Sequence, residues 1–326
     1  MAAGQRVLQR PRPILGLPGG VVTAALVALL CLFWGVTYTV VKAALHDASP
    51  LMLAVAARGA GVLPALAFAL ALGGPLPRDW RFHRFAFVLG VFNVAGLSGF
   101  INLGSQHVSS GEASLIVYAQ PLLVALAARL WLGERGGSRR ALGLLLGFAG
   151  LVVVLSDRIH PGAHPQWLGY AELFGAALCW TASTLLFKRV PPGAPLVWLT
   201  MLQYTYGVLP LIPLMPFTET VRLNLTLHLA ALLVLLGAII GPLGWLIWLY
   251  LLERGEASVV SGNVFFVPLV AVLSGVVFLG ETLHPLVGAG AALIALGIAL
   301  VNRSAAPNAE RPLAIGERPI VTPARE

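Results

Sequence analysis

The chain has 326 residues, 58% of them hydrophobic and 10% charged, with a mean hydropathy of +0.87 and a formal net charge of +8. A soluble domain of this composition would expose large apolar patches, so the bilayer is the solvent. In hydrocarbon each segment must satisfy its own backbone hydrogen bonds, and the apolar stretches do not alternate in polarity, so they read as helices and not as barrel strands.

In chain order, a basic, proline-bearing arm (1–20) precedes ten predicted spans. They run at 21–44, 50–72, 84–104, 113–132, 141–157, 168–188, 195–215, 228–251, 258–279 and 285–302. The first is longer than the apolar core of a signal peptide and leads into no polar mature domain, so it is expected to remain as a helix. The stretch 303–326 mixes Pro, Ala, Arg and Glu without apolar periodicity and is expected to be disordered. The loops are short and leave no room for a soluble catalytic domain.

A pI near 10.2 would point to nucleic acid in a soluble protein, but here the basic residues report topology. Sixteen of them, from Arg6, Arg10 and Arg12 through Arg78, Arg81, Arg84, Arg135, Arg139, Arg140, Lys188, Arg189 and Arg254 to Arg303, Arg311, Arg318 and Arg325, fall on one side. Only Arg158 and Arg222 occupy the opposite loops. The basic side reads as cytoplasmic, with both termini there. Cys31 and Cys179 lie within spans, away from any Cys-x-x-Cys or Cys/His cluster, and read as buried free thiols.

The chain repeats itself. The only lysines, Lys42 and Lys188, each follow a tryptophan, Trp34 and Trp180, by eight residues. At the same offset of 146, Gly61-Val62-Leu63-Pro64 recurs as Gly207-Val208-Leu209-Pro210. Gly96-Leu97-Ser98-Gly99 matches Gly241-Pro242-Leu243-Gly244, and Pro121 stands thirteen residues before Glu134 as Pro268 does before Glu281. Gly143 and Gly150 pair with Gly290 and Gly297. A further match, Gly-Glu-Ala-Ser at 111–114 and 255–258, is three residues out of register and reads as coincidence or a local insertion. The first repeat covers 21–157, an outer linker 158–167, and the second repeat 168–302. Five spans per half place the halves in opposite orientations, an inverted repeat that frames a site between them. Most of the glycines are expected to serve close helix packing, a minority hinges.

With these residues, the chain resembles the drug/metabolite transporter superfamily, specifically the ten-helix EamA-type exporters, over roughly 21–302. The resemblance rests on Trp34-Gly35 followed by Lys42, on Arg58, on the Pro121 to Glu134 and Pro268 to Glu281 segments, and on the glycine ladders of spans five and ten. It implies an all-α polytopic membrane protein of ten transmembrane helices in a 5+5 inverted repeat, seated in a bacterial inner membrane. The implied function is export of amino acids, related metabolites or drugs through a central cavity lined by spans one, three, four, six, eight and nine. It fixes neither substrate nor coupling. No cofactor is implied, and the partners are the bilayer and a small, zwitterionic substrate. Oligomeric state is not specified.

Arg58 lies about eight residues, or ~12 Å of helix, from the outer end of its span. An arginine near a helix centre costs roughly 2.5–3.5 kcal/mol to insert, so it needs a protein or water partner. It reads either as a pin of the bundle or as a receptor for a substrate anion. Lys42 and Lys188 read as interfacial lysines, with a substrate or gating role weighed for Lys42. Glu172, the one acidic residue clearly within a span, is expected to pair with Lys42 or Arg58, as a static bridge or a protonatable gate. Glu134 and Glu281 read as helix-end caps. Candidate substrate-binding residues are Trp34, Tyr38, Lys42, Arg58, Asn93, Asn102, Tyr118 and Gln120 in the first half. In the second they are Trp180, Trp245, Asn263 and Phe266, with Ser98 and Trp248 beside these sets.

No paired acid and base, Ser/His set or H-E-x-x-H motif supports an enzyme. The favoured function is export of amino acids or related small metabolites by alternating access. Its rivals are an exchanger of anionic metabolites such as nucleotide sugars or phosphorylated compounds, and a passive channel or scaffold.

Overall fold

The computed structural model describes residues 19–107, 110–134, 137–156, 167–190, 194–279 and 285–305. Residues 1–18 of the arm, most of the 158–167 linker, Glu281 and the tail beyond Ala305 lie outside them. The described residues form ten helical segments: α1 (Gly19–Ala44), α2 (Pro50–Leu72), α3 (Trp80–Gly104), α4 (Ser110–Val117 then Gln120–Trp131), α5 (Ser138–Leu155), α6 (Trp167–Phe187), α7 (Leu196–Thr218), α8 (Leu227–Arg254), α9 (Ala257–Phe278) and α10 (Leu286–Ala305). Eight of them are long and apolar enough to cross a membrane. The other two are α4, broken at Tyr118 and Ala119, and α5, with 18 residues. The only described β feature is an isolated bridge between Ala48 and Leu223.

Local chemistry sets the helix ends. Pro50 begins α2, where its missing N–H costs nothing, and Glu219 reaches across from the end of α7 to accept from Leu51 N, Met52 N and Ser49 Oγ at 2.8, 3.0 and 2.6 Å. Asp79 caps α3 through Arg81 N, and Thr226 caps α8 through Leu229 N. Apolar side chains such as Leu63, Leu126, Leu130 and Val277 are left exposed on the bundle surface, as a lipid-facing surface requires.

Helix packing repeats under exchange of the halves. α5 lies along α10, and α2 along α7; α3 against α7 is matched by α8 against α2. In the same way α1 against α9 matches α6 against α4, and α6 against α3 matches α1 against α8. This is the contact pattern of a pseudo-two-fold relation. Repeated glycines occupy its tightest contacts. A Cβ on Gly143 would meet Gly297 O at 2.6 Å and one on Gly297 would meet Gly143 O at 2.5 Å, while a Cβ on Gly237 would lie 1.9 Å from Ala57 O. Backbones can approach this closely only without a side chain between them.

Two irregularities also recur. α3 and α8 each contain a π-helical stretch, Val91–Ser98 and Val234–Ile240, at corresponding depths. The described part of α4 starts at Ser110 and α9 at Ala257, 147 residues apart as Pro121 and Pro268 are, and the break of α4 at Tyr118 and Ala119 corresponds to the 3-10 turn Val264–Phe266 of α9. Both helices therefore keep the proline frame, which favours the reading of the Gly-Glu-Ala-Ser match as coincidence.

Candidate functional site

The duplicated tryptophans meet at the centre of the bundle. Trp34 packs edge-on to Trp180, ring centroids 5.2 Å apart, and lies 5.4 Å from both Trp245 and Trp248. Tyr118 packs edge-on to Trp180 at 5.5 Å, and Tyr38 lies 6.2 Å from Tyr118. Edge and tilted contacts of this kind suit the ring quadrupoles. Gly244 makes room for them, since a Cβ there would lie 2.7 Å from Trp34 Nε1.

From this cluster a partly open cavity extends into the half of the bundle away from the basic end. Its floor is Trp34, Trp180 and Trp245; its walls include Tyr38, Arg58, Ser98, Asn102, Tyr118 and Gly241. Water-molecule centres can occupy ≈ 100 Å³ of it. At roughly 10–15 Å³ per water that is space for several waters or one small metabolite. The walls come from α1, α2, α3, α4, α6 and α8. Compared with the expected set, α2 joins because Arg58 sits there, and the described part of α9 does not contribute. That helix packs on the flank of α1, where a Cβ on Gly35 would meet Val270 at 2.5 Å.

Arg58 is held by neutral groups. Its Nε and Nη2 donate to Ser98 Oγ at 3.2 and 2.7 Å, its Nη1 donates to Tyr204 OH at 2.9 Å, and the guanidinium carbon lies 5.3 Å from the Tyr204 ring centroid. Tyr204 occupies the repeat position of Arg58, 146 residues on, so two equivalent side chains meet here as the two tryptophans do. Tyr204 was not among the sequence candidates, although the repeat offset points straight to it.

Seven of the twelve sequence candidates line the cavity: Trp34, Tyr38, Arg58, Asn102, Tyr118, Trp180 and Trp245. The remaining five lie elsewhere. Asn93 is buried and donates to Gln203 Oε1 at 2.8 Å, while Gln120 is fully buried beside Thr184 Oγ1 at 3.4 Å. Asn263 pairs with Asn302, Phe266 packs against the core, and Lys42 is exposed with no described partner. Glu172 lies 3.9 Å from His107 Nε2, and neither Lys42 nor Arg58 is its described partner.

At the basic end the two halves are tied by polar contacts. Glu134, at the end of α4, accepts from Ala257 N and Ser258 N at 2.8 and 3.3 Å and from Ser258 Oγ at 2.5 Å, which caps α9. Arg140, 3% exposed, donates to Ser258 Oγ at 2.9 Å, contacts Glu256 and lies 3.7 Å from Glu134. Lys188 Nζ donates to Leu252 O and Gly255 O at the C-terminal end of α8, where a cation also suits the helix dipole. Burial lowers the pKa of Lys188, with Glu134 and Glu256 opposing the shift.

A bundle of apolar helices with two exchangeable halves around a central cavity defines a multi-pass membrane transporter. The EamA-like transporter family model matches residues 22–156 and 167–303, and the chain belongs to that family. It is 30% identical over 303 residues to a Bacillus subtilis protein named as the uncharacterized transporter YvbV, covering 90% of this chain and 95% of that one. It is 27% identical to a probable amino-acid metabolite efflux pump of Escherichia coli (84% and 92% covered). A probable terminal-alkyne amino-acid exporter of Streptantibioticus cattleyicolor matches at 28% identity (66% and 73% covered). A solved crystal structure superposes with a TM-score of 0.73 at 21% identity, covering 88% of this chain and 99% of that one, which shows the shared fold.

Proposed function

We propose that this transporter exports amino acids or related small metabolites across a bacterial inner membrane, with both termini cytoplasmic. It works by alternating access between its two repeats, 21–157 and 168–302. The observation that carries the reading is the cavity at the pseudo-two-fold centre: amino-acid sized, walled by aromatic rings and bearing one cation. Relatives named as amino-acid efflux pumps and an amino-acid exporter support the substrate class. The basic-end contacts of Glu134, Arg140 and Lys188 support a cytoplasm-closed, outward-facing state.

In this reading Trp34, Tyr38, Arg58, Asn102, Tyr118, Trp180 and Trp245 contact substrate. Asn93, Gln120, Asn263 and Phe266 hold helices together, and Lys42 and Glu172 sit at the outer rim. A nucleotide sugar would need more space and more cationic groups than one arginine, and a passive channel would not be tied shut at one end. The test is efflux from cells preloaded with labelled amino acids. Production of the protein should raise the efflux rate of at least one of them; unchanged efflux across the whole amino-acid panel would remove this substrate class.

A further inference from the structure

Arg58 is a cation within a membrane span whose described partners are all neutral. A guanidinium has five N–H donors. Three are directed at Ser98 and Tyr204, which leaves two. No described carboxylate forms an ion pair with Arg58, and none is among the residues that line the cavity. Glu172 faces His107, and Glu219 is committed to the start of α2. The guanidinium is also deliberately given room: a Cβ on Gly241 would meet Nη1 at 2.9 Å and Tyr204 OH at 2.6 Å. An oriented cation with two unused donors, at the edge of a cavity in a low-dielectric bundle, fits the two oxygens of a carboxylate.

We propose that Arg58 receives the single carboxylate of the substrate, and that the carrier reads this group and not the amino group. The substrates are then monocarboxylates on an apolar or aromatic body, with amino acids and the corresponding 2-oxo acids accepted alike. This deepens the small-metabolite reading above and rests on it. A second anionic group would find no second cation on the described wall, which disfavours dicarboxylates and phosphorylated compounds. The other polar groups on the wall, among them Thr37, Tyr38 and Asn102, are neutral, so an ammonium gains no ion pair there over a carbonyl oxygen. Tyr204 is a positioning residue: it orients Nη1 and does not line the cavity.

The test uses the full-length protein with phenylalanine, phenylpyruvate and phenylalaninamide. Two readouts run together: the shift in melting temperature in detergent, and competition against counterflow of labelled phenylalanine in proteoliposomes. Both acids should stabilise the protein and compete within a few-fold of each other, with the amide roughly ten- to hundredfold weaker. Arg58→Gln should erase the acid/amide discrimination, and Tyr204→Phe should narrow it, a change that loss of packing alone would not produce. An amide as effective as the acids, or no stabilisation by either acid, overturns the proposal. If Arg58→Gln fails to fold, the parent panel and Tyr204→Phe decide. Stabilisation by both acids without labelled exchange would keep the carboxylate site and sink the transport reading. Equal exchange of acid and amide would do the reverse.

Discussion

Replacing Arg140 with Met should open the basic end of the bundle. Arg140 is 3% exposed and lies among Glu134, Glu256 and Ser258, so the substitution keeps volume but leaves two carboxylates without their cation. Removing one partner of a buried ion pair costs about 3–5 kcal/mol. The Glu256 side chain is 34% exposed, so water recovers part of this, and about 2–3 kcal/mol remains as the net cost. If opening releases these contacts, the cost falls on the closed state alone and shifts the closed/open ratio by roughly 30- to 150-fold. Spin labels on cysteines at Gly137 and Arg254, with Cys31 and Cys179 replaced, report the separation by pulsed dipolar spectroscopy. The parent should give one short distance and Arg140→Met a second, longer one. A distance distribution identical to the parent's, in a variant with unchanged melting temperature, would refute the reasoning.

Three further outcomes follow from the same geometry. Gly237→Ala places a Cβ 1.9 Å from Ala57 O and should lower the melting temperature by the equivalent of about 1–3 kcal/mol or more, whereas Gly59→Ala, with nothing within 4 Å, should be neutral. Glu219→Ala removes acceptors from Leu51 N, Met52 N and Ser49 Oγ and should cost about 1–2 kcal/mol, read by thermal unfolding in detergent. Burial lowers the pKa of Lys188 in the closed state, so an opening that exposes the lysine takes up protons. The closed state therefore gains stability as pH rises through the window from the lowered value to that of a free lysine, and loses it as pH falls back through that window. The fraction of the longer spin-label distance in Arg140→Met should shrink with rising pH, and should stop doing so when Lys188→Met is added.

Hydropathy was enough to locate the helices because the bilayer imposes one solution on every long apolar segment. The repeat offset went further. It names Trp34 with Trp180, and it also names Arg58 with Tyr204, a contact that only a reading of every pair at that offset would have found. Partners of polar side chains were harder. Glu172 lies one helix turn into α6, and whether it meets Lys42, Arg58 or His107 depends on helix rotation, which residue spacing leaves open. Asn93 and Gln120 look like cavity residues by composition but face Gln203 and Thr184 inside helix interfaces, since polar groups also tie helices together where no water is present. The π-helical stretches in α3 and α8 have no mark in the residue pattern beyond their glycines.

The most direct measurement is counterflow of a labelled amino acid into proteoliposomes preloaded with the same unlabelled compound. Saturable uptake, accelerated by internal substrate and slowed by Arg140→Met or Arg58→Gln, is the result expected of a carrier with two exchanging halves. Uptake that does not saturate and ignores internal substrate would contradict alternating access and leave a pore in its place.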